Sequence, residues 1–252
     1  MLSEPIFDKS QIDHFEKNVF VVFRGAFNGD EAKNLQNWTT ELSEAPEESG
    51  RHWVYHEPSL LDNERSLINR IENMTPFHDG FRALADCLLP SVGQLLGAEA
   101  VLFKDKINFK LPGGDGFKPH QDSQAGWEDY ANYFISVLVC IDPATIENGC
   151  LQVAPRPKVE LVGKEWEPLT DAETALMDFT HLETRPGDVI YFDSYVPHMS
   201  EPNVTDKPRR LYFATYNRLS EGDHLRAYYA DKRKSFPPDI EREAGREYVY
   251  RV

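Results

Sequence analysis

The feature that most constrains this chain is a change of period at Gly97. Before it, Phe81, Leu84, Ala85, Leu88, Val92, Leu95 and Leu96 recur three and four residues apart, the spacing of a helix with one apolar face laid on a sheet. Pro90 should bend that helix and Gly97 should end it. After it, apolar residues come in short runs: Val101-Leu102-Phe103, Ile107-Asn108-Phe109, Tyr133 to Ile141, Cys150-Leu151-Gln152-Val153, Asp188 to Phe192 and Arg210 to Tyr216. Turn formers separate these runs, with Asn148-Gly149 a hairpin signal and Pro186-Gly187 a turn into the next strand. Short strands joined by turns suit a double-sheet jelly roll of the cupin type. The expected fold is mainly β, with helices flanking that core.

The chain of 252 residues, 40% hydrophobic and 12% aromatic, can build a substantial core, and one domain is expected. Within it, residues 1–99 read as mostly helical, 100–217 as the jelly-roll core and 218–252 as a charged C-terminal extension. Asn28-Gly29-Asp30 leads into a helical run to about Glu41, and Ser43 to Gly50 is a polar loop rich in turn formers. Lys158 to His181 reads as a polar insert between strands, with a short helical stretch around Asp171 to Phe179.

The chemistry concentrates in His120-Gln121-Asp122, just downstream of Leu111-Pro112-Gly113-Gly114-Asp115-Gly116, and in a distant His198. On an extended strand residues i and i+2 share a face, so His120 and Asp122 can converge on one metal while Gln121 points elsewhere. Two histidines and a carboxylate with open positions form the facial triad of non-haem Fe(II) oxygenases. His-x-Asp alone is equally a surface hydrogen bond; the surrounding segments decide between the two. Arg209 and Arg210 are neighbours on a strand, so only one enters the barrel. The spacing favours Arg209, whose guanidinium can grip a carboxylate bidentately, and leaves Arg210 for solvent or a loop carboxylate.

Lys106 to Gly114, Pro119-His120-Gln121-Asp122, Asn148-Gly149-Cys150-Leu151, Arg185-Pro186-Gly187-Asp188, and His198-Met199-Ser200 followed by Asn203 and Arg209 occur in one order. In that order they resemble the phytanoyl-CoA dioxygenase family of Fe(II)/2-oxoglutarate-dependent oxygenases, over roughly residues 100 to 217. The resemblance implies a double-stranded β-helix with helices on one sheet. It implies His120, Asp122 and His198 as catalytic iron ligands, and Arg209 on the distal carboxylate of 2-oxoglutarate, with Ser200 and Gln121 as further cosubstrate contacts. Fe(II), 2-oxoglutarate and O2 are then required, and the carboxylate at Asp122 implies hydroxylation, since related halogenases carry a small residue there. Lys106 to Asp122 looks especially like oxygenases acting on aminoalkylphosphonates, which hydroxylate the carbon beside phosphorus.

The substrate expected is a small polar metabolite, an aminoalkylphosphonate or another amine or zwitterion. Candidate substrate contacts are Asn108 and Lys110, on a strand leading to the site, with Trp127 and Tyr133, whose ring faces attract cations. The alternatives are a non-catalytic, cupin-like metal or small-ligand binding protein and, less favoured, a zinc hydrolase. His52 and His56 lack the His-Glu-x-x-His pattern of a zinc protease, and the glycine-rich run lacks the Gly-Lys-Ser/Thr ending of a phosphate loop. A net charge of −15 argues against a nucleic-acid partner. Cys87, Cys140 and Cys150 are too few and too irregular for a disulfide framework. No apolar stretch approaches a membrane span, and Met1 to Pro5 lacks signal-peptide features; a cytoplasmic location is expected. The sequence leaves the oligomeric state open.

Overall fold

The structure, a computed structural model, describes residues 2–156 and 159–249. Along the chain come α1 (Lys9–Asn18), β1 (Phe20–Phe23), α2 (Gly29–Glu44), β2 (Trp53–Pro58), β3 (Ser66–Glu72), α3 (Asp79–Leu96), β4 (Ala100–Lys110), β5 (Phe117–His120), β6 (Phe134–Cys140) and β7 (Leu151–Val153). There follow the single turn α4 (Asp171–Thr174), β8 (Thr180–Leu182), β9 (Val189–Asp193), β10 (His198–Ser200), β11 (Arg209–Arg218) and α5 (Leu225–Ser235). Seven strands form one sheet in the order β1-β9-β6-β11-β4-β3-β2, and four form a second in the order β5-β10-β7-β8. The two face each other as the expected jelly roll.

Alternation along the central strands sorts their side chains. Ile107 and Phe109 of β4, Val137 and Val139 of β6, Tyr191 of β9, and Tyr212, Ala214 and Tyr216 of β11 pack with Phe81, Leu84, Leu88 and Val92 of α3. Their neighbours in sequence point inward, where Leu138, Cys140, Ile190, Phe192, Leu211 and Phe213 meet Leu151, Val153 and Leu182 of the smaller sheet. Each such large side chain contributes roughly 1.5–3 kcal/mol on burial. A one-residue slip would exchange the two faces, so the outer core fixes which residues enter the barrel. α3 starts at His78, whose ring accepts from the Phe81 amide, runs through Pro90 and stops at Gly97 with φ of 62°, a conformation glycine adopts cheaply.

Several expectations change. The N-terminal third is less helical than its spacing suggested, because β1 pairs with β9 and β3 with β4, extending the major sheet at both edges. These short strands gain their order from a neighbour already in place rather than from their own pattern. The two runs at 101–103 and 107–109 are one strand, since Lys104 and Lys106 between them line a polar cavity while Asp105 points to the other face, where its Oδ2 accepts from the Met74 and Thr75 amides. Asn148-Gly149 does not make a hairpin, because β6 and β7 belong to different sheets. The turn is closed by Cys150 N donating to Thr145 O at 2.8 Å. Gly149 has φ of 75°, and a Cβ there would lie 2.0 Å from the Glu201 carbonyl oxygen. The helical stretch expected over 171–179 is the one turn α4.

The polar insert, whose first residue Lys158 lies outside the described residues, is not simply solvated. Gln121 Nε2 donates to the carbonyls of Glu160 (3.0 Å) and Tyr195 (2.5 Å), and its Oε1 accepts from Val162 N at 2.6 Å. Gln124 Nε2 donates to the carbonyls of Lys164 and Glu167, each at 2.7 Å. Two buried amides thus pin the insert beside the residues that follow β5.

Candidate active site

Pairing of β5 with β10 sets His120 opposite His198, with ring centres 4.2 Å apart. β5 ends at His120, and Asp122 opens a 3-10 turn, Asp122–Ala125, so a turn rather than continued strand alternation brings the carboxylate round. One ligand atom from each of His120, Asp122 and His198 lies within 4.8 Å of the others. Nδ1 of His120 is 2.7 Å from the Lys118 carbonyl oxygen, and Nδ1 of His198 is 3.1 Å from that of Val196. A ring nitrogen that donates to a carbonyl fixes the tautomer and leaves Nε2 as the lone-pair donor. Asp122 is oriented in turn, its Oδ2 accepting from Ser136 Oγ at 2.7 Å, while Ser136 also bonds Thr215 Oγ1 at 3.1 Å.

The electrostatics suit a cation. Burial and the neighbouring His198 push His120 down to about 3, and burial lowers His198 as well, so both rings are neutral near pH 7. Burial opposes the charge on Asp122, but His198, Lys104 and Lys106 outweigh it and hold the carboxyl at about 2. Two neutral imidazoles and one ionised carboxylate on one side of a cavity fit ferrous iron with coordination positions left open.

A second charged cluster lies at the far end of β4. Arg209 is the register partner of Lys110, and their side chains are 2% and 0% exposed. Their bonds go to neutral groups: Arg209 Nη2 to Gly149 O at 2.7 Å, and Lys110 Nζ to Ser200 Oγ at 2.8 Å and to Glu201 O. Arg209 Nε has no partner among the described residues. Burial and the facing guanidinium push Lys110 down to about 6, while burial lowers Arg209 only to about 10, so the guanidinium stays charged. Like charges opposite one another on adjacent strands repel, and a buried cation without a counter-ion costs several kcal/mol. A carboxylate bound between them removes both penalties, so this end fits one terminus of 2-oxoglutarate.

The cavity holding the triad is lined also by Lys104, Lys106, Asn108, Phe117, Trp127, Ser200, Arg209 and Phe213. It meets an outer cleft of about 650 Å³ whose walls include Lys104, Lys106, Asp129, Tyr130, Trp166, Tyr228 and Glu247. Of the expected residues, Ser200, Asn108 and Trp127 line the cavity, and Asn108 Oδ1 has no partner among the described residues. Lys110 stands opposite Arg209 and does not line the triad cavity with Asn108. Gln121 faces away, its amide engaged at both ends by the insert, which leaves no atom for the cosubstrate contact expected of it. Tyr133 is also displaced: its hydroxyl reaches Asp193 Oδ2 at 3.3 Å and its ring packs on the outer core. Arg210 grips the loop carboxylate of Asp142 through Nε and Nη2 at 2.6 and 2.9 Å. Lys104 and Lys106 were missed, although alternation from Asn108 and Lys110 back along β4 points straight to them.

A jelly roll that brings two histidines and an aspartate together beside a buried arginine defines a mononuclear non-haem iron oxygenase. The family model described as Phytanoyl-CoA dioxygenase (PhyH) matches residues 15–211, and the chain belongs to that family. It is 41% identical over 247 residues to the 2-aminoethylphosphonate dioxygenase of an uncultured bacterium, HF130_AEPn_1, covering 96% of this chain and 94% of the relative. It is 37% identical over 235 residues to the methylphosphonate hydroxylase of Gimesia maris, covering 90% and 87%. The fold matches the crystal structure of EctD from S. alaskensis with 2-oxoglutarate and 5-hydroxyectoine, with a TM-score of 0.71, 23% identity, and 85% and 77% of the two chains covered. The protein is an enzyme, an oxygenase dependent on iron and 2-oxoglutarate, and the binding-only alternative is set aside. Among the described residues no helix is long and apolar enough to cross a membrane.

Proposed function

We propose that this enzyme hydroxylates an aminoalkylphosphonate, 2-aminoethylphosphonate or a close analogue, on the carbon beside phosphorus. The two relatives described above share a phosphonate in their names. The observation that carries the reading is the polarity of the cavity. In a chain of net charge −15, the walls nearest the triad carry Lys104, Lys106 and Arg209, whereas the outer cleft adds Asp129 and Glu247 beside the rings of Tyr130, Trp166 and Tyr228. Cations inside with acids and aromatic faces outside match a zwitterion that enters anion first.

In this reading His120, Asp122 and His198 hold the iron, and Arg209, with Lys110 and Ser200, holds the distal carboxylate of 2-oxoglutarate. Bound iron supplies dioxygen activation, coupled to cleavage of 2-oxoglutarate into succinate and CO2, with one oxygen atom entering a substrate C–H bond. The chain's own residues bind and orient. The carbonyls of Lys118 and Val196 fix the imidazole tautomers, Ser136 aims the Asp122 carboxylate, and the buried Trp127 wall helps exclude water. We take the chain as one domain whose C-terminal extension completes the outer cleft, working in the cytoplasm.

The test is a succinate assay across phosphonates, amines, amino acids and acyl thioesters, with phosphorus NMR of the product. The reading expects succinate and a phosphonate hydroxylated beside phosphorus in equal amounts. Turnover of another class with none of any phosphonate contradicts it.

A further inference from the structure

We propose that Lys104 and Lys106 anchor the substrate's phosphonate, and that Trp127 and Tyr228 position the Lys104 ammonium for it; this rests on the phosphonate reading above. Both lysines stand two residues apart on the inward face of β4, and both line the metal cavity and the outer cleft. A molecule passing from cleft to triad therefore passes both ammonium groups. The cosubstrate end lies further along: Lys110 is four positions beyond Lys106 on β4, about 13 Å along the strand, and stands opposite Arg209.

The nearby acids are already engaged. Asp122 belongs to the triad, and Glu72 meets Arg70 Nε at 2.6 Å and Lys232 Nζ at 2.5 Å. Lys104 is held instead by aromatic faces, its Nζ 3.8 Å from the centre of the Trp127 ring and 5.7 Å from that of Tyr228. Lys106 Nζ sits 5.2 Å from the Phe213 ring and 6.0 Å from Phe117. A ring face attracts an ammonium without neutralising it, so the N–H donors and the charge remain available to a ligand. Burial pulls Lys104 well below the usual lysine range, a cost that an anion at the site would offset. A phosphonate offers three terminal oxygens, enough to accept from two lysines at once, and lysine serves such groups as a compact point charge. Tyr228 lies on α5, so the C-terminal extension takes part in reading the substrate.

The experiment uses the iron-loaded enzyme and variants Lys104→Met, Lys106→Met, Lys106→Arg, Tyr228→Leu and Tyr228→Phe. It follows KM and kcat for 2-aminoethylphosphonate, KM for 2-oxoglutarate, the ratio of succinate to hydroxylated product, and competitive inhibition by inorganic phosphate. Each Lys→Met change is expected to raise the phosphonate KM by about 10- to 100-fold, weaken phosphate inhibition in parallel and leave the 2-oxoglutarate KM within about twofold. Lys106→Arg retains most of the affinity. Tyr228→Leu raises KM by about 3- to 10-fold at little change in kcat, while Tyr228→Phe, which keeps the ring face, behaves as wild type. Lys106→Met decides the matter if Lys104→Met fails to fold. A wild-type enzyme that turns over the phosphonate beside Lys→Met variants of unchanged KM overturns the anchor alone. A wild-type enzyme inactive on every phosphonate overturns the substrate reading and the anchor with it.

Discussion

Replacing Arg209 with glutamine separates what its guanidinium does for the fold from what it does for 2-oxoglutarate. In the free protein it makes one hydrogen bond among the described residues, to Gly149 O, worth about 1 kcal/mol, and it disfavours the ammonium form of Lys110 opposite. Losing the charge should therefore cost little stability and let Lys110 rise from about 6. In the cosubstrate complex the loss is of a charge-assisted pair, two bonds at about 1.5–3 kcal/mol each. Relief of the repulsion returns part of this, leaving about 3–4 kcal/mol, or about 10²- to 10³-fold in affinity. Calorimetric titration of 2-oxoglutarate into anaerobic Fe(II) enzyme reads the affinity, and thermal melting of the free protein reads the fold. An affinity loss below about tenfold, or a melting temperature that collapses with the affinity, refutes the assignment of Arg209 as a cosubstrate anchor.

Three further outcomes follow from particular contacts. Ser136→Ala removes the hydrogen bond to Asp122 Oδ2 and should weaken iron binding by about 10- to 100-fold with the melting temperature nearly kept; unchanged iron affinity denies Ser136 its aiming role. Gln121→Ala removes three bonds between the triad loop and its surroundings, worth about 2–4 kcal/mol together; hydrogen exchange should accelerate over residues 160–169, and wild-type protection there contradicts the pinning. Burial opposes the charge of Glu72, yet Lys232 and Arg70 outweigh it and lower its carboxyl from 4.5 to about 2. That stabilisation, about 3 kcal/mol, is full above pH about 4.5 and lost as pH falls toward about 2. Glu72→Gln should thus melt lower at neutral pH, with the gap to wild type closing through the same window; a gap independent of pH refutes the ion-pair account.

The jelly roll was legible because its two faces differ in kind. Tyr212, Ala214 and Tyr216 against Leu211, Phe213 and Arg209 already encode an outer and an inner side of β11, and Gly97 marks where α3 yields to strands. The triad was legible through residue type and order, although Asp122 reaches its place by a turn that alternation does not describe. β1, β2 and β3, at the two margins of the major sheet, escaped notice because such short strands take their order from a partner, and pairing partners are not local information. Gln121 and Tyr133 were misplaced for a related reason: what a side chain meets depends on segments far away, Glu160 and Val162 for one and Asp193 for the other. Lys104 and Lys106 were readable from the period of β4, but polarity in mid-strand looks like a loop until the cavity it faces is known.

If His120, Asp122 and His198 hold one ferrous ion between them, removing any one of them must release it. Iron content after anaerobic reconstitution and desalting tests it most directly, on wild type and on Asp122→Ala and His198→Ala proteins that melt as wild type does. One iron per wild-type chain and almost none in either variant is the expected result; full iron occupancy with undiminished affinity in Asp122→Ala or His198→Ala would contradict shared ligation by the three side chains.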